Sequence, residues 1–190
     1  MSHNEKILSI FRDTNALLEG HFVLSSGRHT SSYFQCAKVL QYPEYLTAFS
    51  IMIADEFEKY KPDVVISPAI GGIVLGTEVG TQIGSRTIFA ERKNGKMVLR
   101  RGFSISPGEK VLIVEDVITT GGSVNEVVKI IEEMKGKIIG VGVLVDRSNG
   151  AVKIHSNQYS IVNLNVESFV ESDIPSDLSK IPIQKPGSKY

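Results

Sequence analysis

The stretch KVLIVEDVITTGGSVNEVVKII (110–131) constrains the fold more than any other part of the chain. Its first half is a near-continuous apolar run of strand length, without the alternation of a half-exposed strand. Such a run is expected where helices cover both faces of a sheet, which is the situation of parallel strands. The run ends in two adjacent carboxylates, Glu115 and Asp116, and a loop of hydroxyls and glycines follows. A helix is then predicted over 123–135. Ser123 and Glu126 stand at capping-box spacing, Val124, Val127, Val128, Ile131 and Met134 form one stripe, and Gly136 stops it. In an open parallel sheet the ligand crevice lies at the carboxyl ends of the strands, where this loop must sit.

The rest of the chain repeats the alternation of apolar runs with amphipathic stretches, so the fold class is α/β with a mostly parallel central sheet flanked by helices. Strands are predicted at 63–67, 87–91, 138–145, 152–155 and 159–164. Helices are predicted from Pro43, with Leu46, Phe49, Ile53 and Phe57 on one face, and over 74–83. An opening helix is signalled by Ser2 and Glu5, carries Ile7, Leu8, Ile10, Phe11 and Leu17, and is expected to end at Gly20. Short strands at 21–24 and 33–36 follow it. The expected organisation is one domain over 1–190. A small hood comes from about 1–40 plus the C-terminal tail, and the core spans about 41–165.

Lys plus Arg number 21 and Asp plus Glu number 21, a formal net charge of zero. That balance excludes a globally basic nucleic-acid binder, which needs surplus cations to neutralise phosphates. It leaves room for a small anion held by a local cluster. The single cysteine, Cys36, can make neither an intrachain disulfide nor a cysteine zinc site. No apolar run reaches the roughly 18 residues of a membrane span, and the charged start is not signal-like. A cytoplasmic setting without membrane contact is expected.

The loop after the acids is built for an anion. Backbone N–H groups and the partial positive charge of a helix N-terminus favour phosphate. Gly121 and Gly122 let the backbone approach closely, while Thr119, Thr120 and Ser123 add hydroxyl donors. A phosphate alone does not need two acids. Carboxylates beside a phosphate cradle suit the vicinal hydroxyls of a sugar, or a metal ion bridging hydroxyl and phosphate oxygens. A Walker A loop is excluded because no lysine follows the glycines. The dinucleotide fingerprint is excluded because Gly140-Val141-Gly142 lies inside a strand and lacks a third glycine.

VLIVEDVITTGGSV resembles the phosphoribosyl-pyrophosphate signature of the type I phosphoribosyltransferases. HFVLSSGRHTSSYFQC, SPAIGGIVLG, ERKNGK and VDR resemble, in turn, the N-terminal segment, pyrophosphate-side loop, mobile catalytic loop and base-contacting strand end of that family's orotate-using branch. The resemblance implies the type I fold with a small N-terminal hood. It implies transfer of the 5-phosphoribosyl group from phosphoribosyl pyrophosphate (PRPP) to orotate, with Mg²⁺, in pyrimidine biosynthesis. Glu115 and Asp116 would contact the ribose hydroxyls, and Val117, Ile118, Thr119, Thr120, Gly121, Gly122 and Ser123 would enclose the 5′-phosphate. Mg²⁺ would be held mainly through substrate, with Asp116 as a candidate ligand. Thr119 and Arg147 would contact orotate, and Ala69, Ile70, Gly71 and Gly72 would form the pyrophosphate side. Arg92, Lys93 and Lys96 would bind the diphosphate in a neighbouring subunit of a homodimer, with Arg92, Lys96, Glu115 and Asp116 as the catalytic set.

The residues qualify that picture. A basic lid over a departing pyrophosphate is good electrostatics, because it neutralises charge in a site closed to water. Val98 stands where the family pattern R-K-x-x-K-x-H-G has histidine, which leaves Arg100 and Arg101 as candidates for the missing donor. Ser25 and Gly71 stand where many relatives carry lysine. Consecutive glycines offer backbone N–H groups instead, or simply make a tight turn. Arg147 suits the orotate carboxylate as a bidentate partner, and an ion pair with Asp146 or Glu115 is the competing role. Tyr33 and Phe34 could face the orotate ring or belong to the core. His3, His21, His29 and His155 show no metal spacing, and Ile174 and Asp177 argue against a metal in the tail. Two other readings stay open: transfer to a purine or uracil, and a non-catalytic sensor of PRPP, which should carry an added basic nucleic-acid-binding segment.

Overall fold

The computed structural model describes residues 3–24, 27–164 and 166–184. A six-stranded sheet in the order β5-β4-β3-β6-β7-β8 forms its centre. β3 (Val64–Pro68), β4 (Arg86–Lys93), β6 (Lys110–Ile118), β7 (Lys137–Asp146) and β8 (Gln158–Asn163) run parallel. β5 (Lys96–Leu99) returns antiparallel to β4 through the Asn94-Gly95 turn. Both turn residues have positive φ, 51° and 80°, as a two-residue hairpin requires.

Both faces of the sheet are covered, and this is why its strands read as unbroken apolar runs. Val65, Leu112, Val114 and Val145 pack toward α3 (Pro43–Phe57) and α4 (Gly71–Ile83), against Phe49, Ile53, Phe57, Leu75 and Val79. Val64, Ile66, Val111, Ile113 and Val143 pack toward α5 (Gly122–Glu133), against Val124, Val127 and Ile131. The strand glycines have a packing role. A Cβ on Gly142 would lie 2.6 Å from Ile53 Cγ2, so Gly140 and Gly142 let α3 settle onto β7.

The chain steps from β3 outward to β4 and then back to β6 on the other side of β3. The order reverses between β3 and β6, and the crevice at a topological switch point opens there. It separates the segment after Pro68 from the acids at the end of β6.

A second sheet of four strands lies in the order β10-β1-β2-β9. The hairpin of β1 (Leu17–Val23) and β2 (His29–Phe34) is flanked by β9 (Ser168–Phe169) and β10 (Ile183–Gln184). Short helices α2 (Ala37–Leu40) and α6 (Ser176–Ser179) complete the elements. Here the opening helix departs from expectation. α1 (His3–Asp13) stops seven residues before Gly20, because Asn15 turns left-handed (φ 53°) and Thr14 Oγ1 takes the Ile10 carbonyl. Leu17 belongs to a strand, and Gly20 lies inside it where the β1–β2 register shifts. The predicted capping serine Ser2 lies outside the described residues, as does Ser25. The strand expected at 152–155 is a loop.

Candidate active site

β6 delivers the two acids to different depths. Glu115 is 6% exposed, and its Oε1 accepts the Asp116 N–H at 3.1 Å. Burial, reinforced by the neighbouring Asp116 charge, holds its carboxyl well above the usual range. Asp116 is half-buried, and its Oδ1 accepts the Val117 N–H at 3.0 Å. Across the switch point the start of α4 closes on both. A Cβ built on Gly71 would lie 2.7 Å from Asp116 Cγ, and one on Gly72 would lie 3.1 Å from Glu115 Oε1. The absence of side chains at 71 and 72 is what lets the acids occupy the crevice floor. Ala69 N–H donates to Ala90 O at 2.7 Å, and Ile70 is largely exposed.

The loop that follows lines a cavity of about 310 Å³ together with Arg92, Glu115 and Glu126. Val117, Ile118, Thr119, Thr120, Gly121, Gly122 and Ser123 all face it. Gly121 is the N-cap of α5 at φ 73°, a left-handed conformation, and the first-turn residues Gly122, Ser123 and Val124 line the opening. Among the described residues the hydroxyls of Thr119, Thr120 and Ser123 take no partner, so they remain available as donors. Gly121 is pinned from outside, since a Cβ there would meet Val152 Cγ1 at 2.8 Å and Ile154 Cδ1 at 3.0 Å. Gln158 clamps that outer loop, accepting from Ile154 N–H and donating to Val152 O, each at 2.9 Å.

Arg147 follows β7 on the same edge of the sheet. Its N–H donates to Ile118 O at 2.9 Å, and it is only 8% exposed. Its guanidinium reaches Ser32 O at 3.5 Å, while its buried Nε has no partner. The competing ion pair with Asp146 or Glu115 does not form. Asp146 is instead saturated by Ser148 N–H (2.7 Å), Ser148 Oγ (2.6 Å) and Gly150 N–H (3.1 Å). Phe34 is a core residue, edge-on to Phe11 at 5.8 Å. Tyr33 is half-buried, and its hydroxyl donates to Gln35. Cys36 Sγ lies 3.9 Å from Asp116 O, and burial pushes its thiol pKa up, away from reactivity.

The basic hairpin brings one surprise. The expected capping box at Ser123 and Glu126 is absent because Gly121, not Ser123, caps α5. Glu126 turns instead to the hairpin. It accepts Arg92 Nη1 at 3.1 Å and Nη2 at 2.7 Å, and the Met97 N–H at 3.0 Å. The bond from Arg92 holds its carboxyl below the usual range. Lys93 and Lys96 face each other across the turn, exposed, and take no ion-pair partner among the described residues. Arg100 and Arg101, the candidates to replace a histidine at 98, are both held by Glu91 at 3.3 and 3.1 Å.

Two histidines that sequence spacing left scattered are also joined. His21 Nδ1–H donates to Ile181 O, so His21 Nε2 accepts from His29 Nδ1–H at 2.7 Å, with both rings buried. They fasten the hairpin to the tail, a structural role.

A loop of hydroxyls and glycines at a helix start, two acids on the strand before it and a switch-point crevice together make a site suited to a phosphorylated sugar. Residues 37–177 match the model of the phosphoribosyl transferase domain. The chain is 57% identical over 183 residues to the orotate phosphoribosyltransferase of Chlorobium phaeobacteroides, covering 96% of this chain and 95% of that protein. It is 55% identical over 186 residues to that of Chlorobaculum parvum, covering 98% and 96%. The crystal structure of Mycobacterium tuberculosis orotate phosphoribosyltransferase with inorganic phosphate has the same fold, with a TM-score of 0.66 at 20% identity over 85% of this chain and 96% of that one. The chain belongs to the orotate phosphoribosyltransferases, a branch of the phosphoribosyltransferase family.

Proposed function

We propose that the chain transfers the 5-phosphoribosyl group of PRPP to orotate, giving orotidine 5′-phosphate and pyrophosphate. N1 of orotate forms a bond to C1 of the ribose and releases its proton as the bond from C1 to the pyrophosphate oxygen breaks. Such a displacement passes through a cationic ribose, so it depends on positioning and on stabilising the leaving group. The α5 cradle from Val117 to Ser123 holds the 5′-phosphate, and Glu115 and Asp116 take the ribose hydroxyls. The N–H groups of Gly71 and Gly72 face the pyrophosphate. Lys93 and Lys96, exposed at the hairpin tip, reach with Arg92 toward the diphosphate of a second copy in a homodimer. The whole chain acts as one phosphoribosyltransferase domain, with the four-stranded sheet as its hood, and its setting is the cytoplasm.

The observation that carries the choice of base is the buried Arg147 Nε without a partner. A buried donor left unpaired is costly, and a carboxylate on the base satisfies it bidentately. Thr119 follows Ile118, whose carbonyl accepts the Arg147 N–H. Among the described residues no group of three or more His, Cys, Asp or Glu converges as a metal cage. Mg²⁺ would be carried by PRPP, with Asp116 as its protein ligand and water completing the shell. The ion would neutralise charge on the departing pyrophosphate. Turnover measured with orotate, uracil, adenine and hypoxanthine in parallel tests the reading. Orotate should be strongly preferred, and preference for any base lacking the carboxylate refutes the assignment to Arg147.

A further inference from the structure

The Arg92–Glu126 pair sits at the rim of the phosphate cavity and lines it from both sides. Glu126 takes the end-on edge of the guanidinium fork. Nη1 and Nη2 go to its two oxygens, and Nη1 also reaches Gly95 O at 2.9 Å. The same carboxylate accepts the N–H of Met97, the cross-strand partner of Arg92. One side chain of α5 therefore seats both strands of the hairpin. An edge filled in this way cannot also grip a phosphate, whose oxygens demand the same bidentate geometry, and only the Nε–Nη2 edge is left. Arg92 can present its end-on edge to an anionic ligand only by leaving Glu126, whose charge also repels an anion from the edge that is left. The pair is solvent-exposed, 46% and 34% at the two side chains, so it is weak enough to exchange.

We infer that Glu126 is a positioning residue that competes with the diphosphate for Arg92: it parks the arginine and its hairpin at the cavity rim while the site is empty, and takes the arginine back when pyrophosphate leaves. The inference rests on the reading of Arg92 as a diphosphate-binding group. It assigns the reaction a residue that touches no substrate and acts through the arginine.

The test is the binding of inorganic pyrophosphate, with Mg²⁺ and without orotate, to the full chain by titration calorimetry. Glu126→Gln keeps an oxygen for the Met97 N–H but removes the charge that holds the fork. Pyrophosphate should bind this variant about 1.5- to fivefold more tightly, the range set by the worth of an exposed ion pair. The KM for PRPP should fall with it and kcat should not rise. A merely structural Glu126 would leave affinity unchanged or weaken it, and either result overturns the inference. Removing a negative charge near any anion site also tightens binding, so the substitution is repeated in an Arg92→Ala background. There the gain should shrink to the part due to charge alone, and a gain of equal size overturns the role assigned to Arg92. If the wild type binds no pyrophosphate, both this inference and the functional reading fall. If it binds and Glu126→Gln matches it, only this inference does.

Discussion

Replacing Glu115 by glutamine should make the folded chain more heat-resistant than the wild type, by a margin that grows with pH. The folded carboxyl is 6% exposed and its pKa lies well above the ordinary 4.5, first because it is buried and second because Asp116 is beside it. The unfolded chain releases this proton near 4.5, while the folded chain keeps it. The folded state thus binds more protons in the window above 4.5, and wild-type stability falls as pH rises through that window. It is fully present only below the unfolded value. The slope cannot exceed about 1.4 kcal/mol per pH unit for one proton. In a chain of this size that is about 3–5 °C of Tm per unit. Glutamine is nearly isosteric with the protonated acid and keeps the acceptor for the Asp116 N–H, so the variant lacks the slope without opening a cavity. Scanning calorimetry of both proteins from about pH 5 to about pH 7 measures the difference. Two Tm curves that run parallel would refute the burial argument, because Glu115 would then titrate as an ordinary exposed acid.

Gly71→Ala should leave the fold intact, since alanine favours the first turn of α4 by up to about 1 kcal/mol over glycine. It should nonetheless cost on the order of a hundredfold in kcat/KM. The new methyl would lie 2.7 Å from Asp116 Cγ, where carbon contacts need about 3.5 Å, so the carboxylate is displaced by roughly 1 Å. Kinetics within threefold of wild type would show that Asp116 is not held by this close approach. Lys96→Ala should lower kcat more than it raises KM if the hairpin acts on the departing pyrophosphate, and the reverse pattern in steady-state kinetics speaks against it. Mixing Lys96→Ala chains with Glu115→Gln chains should recover activity if the hairpin serves a neighbouring subunit, and no recovery refutes a shared site.

The central sheet was readable because its code is simple. DVVIS and KVLIV lack alternation only because helices cover both faces, while Asn94-Gly95 turns the hairpin and Pro43 starts a helix as their residue types demand. The loop that lines the cavity was readable for the same local reason: acids, hydroxyls, glycines and a helix start occur in one uninterrupted segment. What the sequence concealed was tertiary. Ser123 and Glu126 match a capping box by spacing, yet Gly121 turns left-handed and starts the helix early, which frees Glu126 for an arginine 34 residues away. Leu17 fits a helical stripe, but Asn15 ends the helix before it. His21 and His29 meet only because β1 and β2 pair, and Gly71 gains its meaning only when β6 lays Asp116 against it. No spacing rule reports such contacts.

The account stands most directly on the two acids that end β6. The measurement is orotidine 5′-phosphate formation from orotate and PRPP with Mg²⁺, by wild type and by the Glu115→Gln, Asp116→Asn double variant side by side, both verified as folded. The account predicts turnover by the wild type and a loss of at least about 10²–10³-fold in the variant, the scale of removing preorganised groups from a reacting centre. Equal rates in the two proteins, or a folded wild type that forms no orotidine 5′-phosphate, would contradict it.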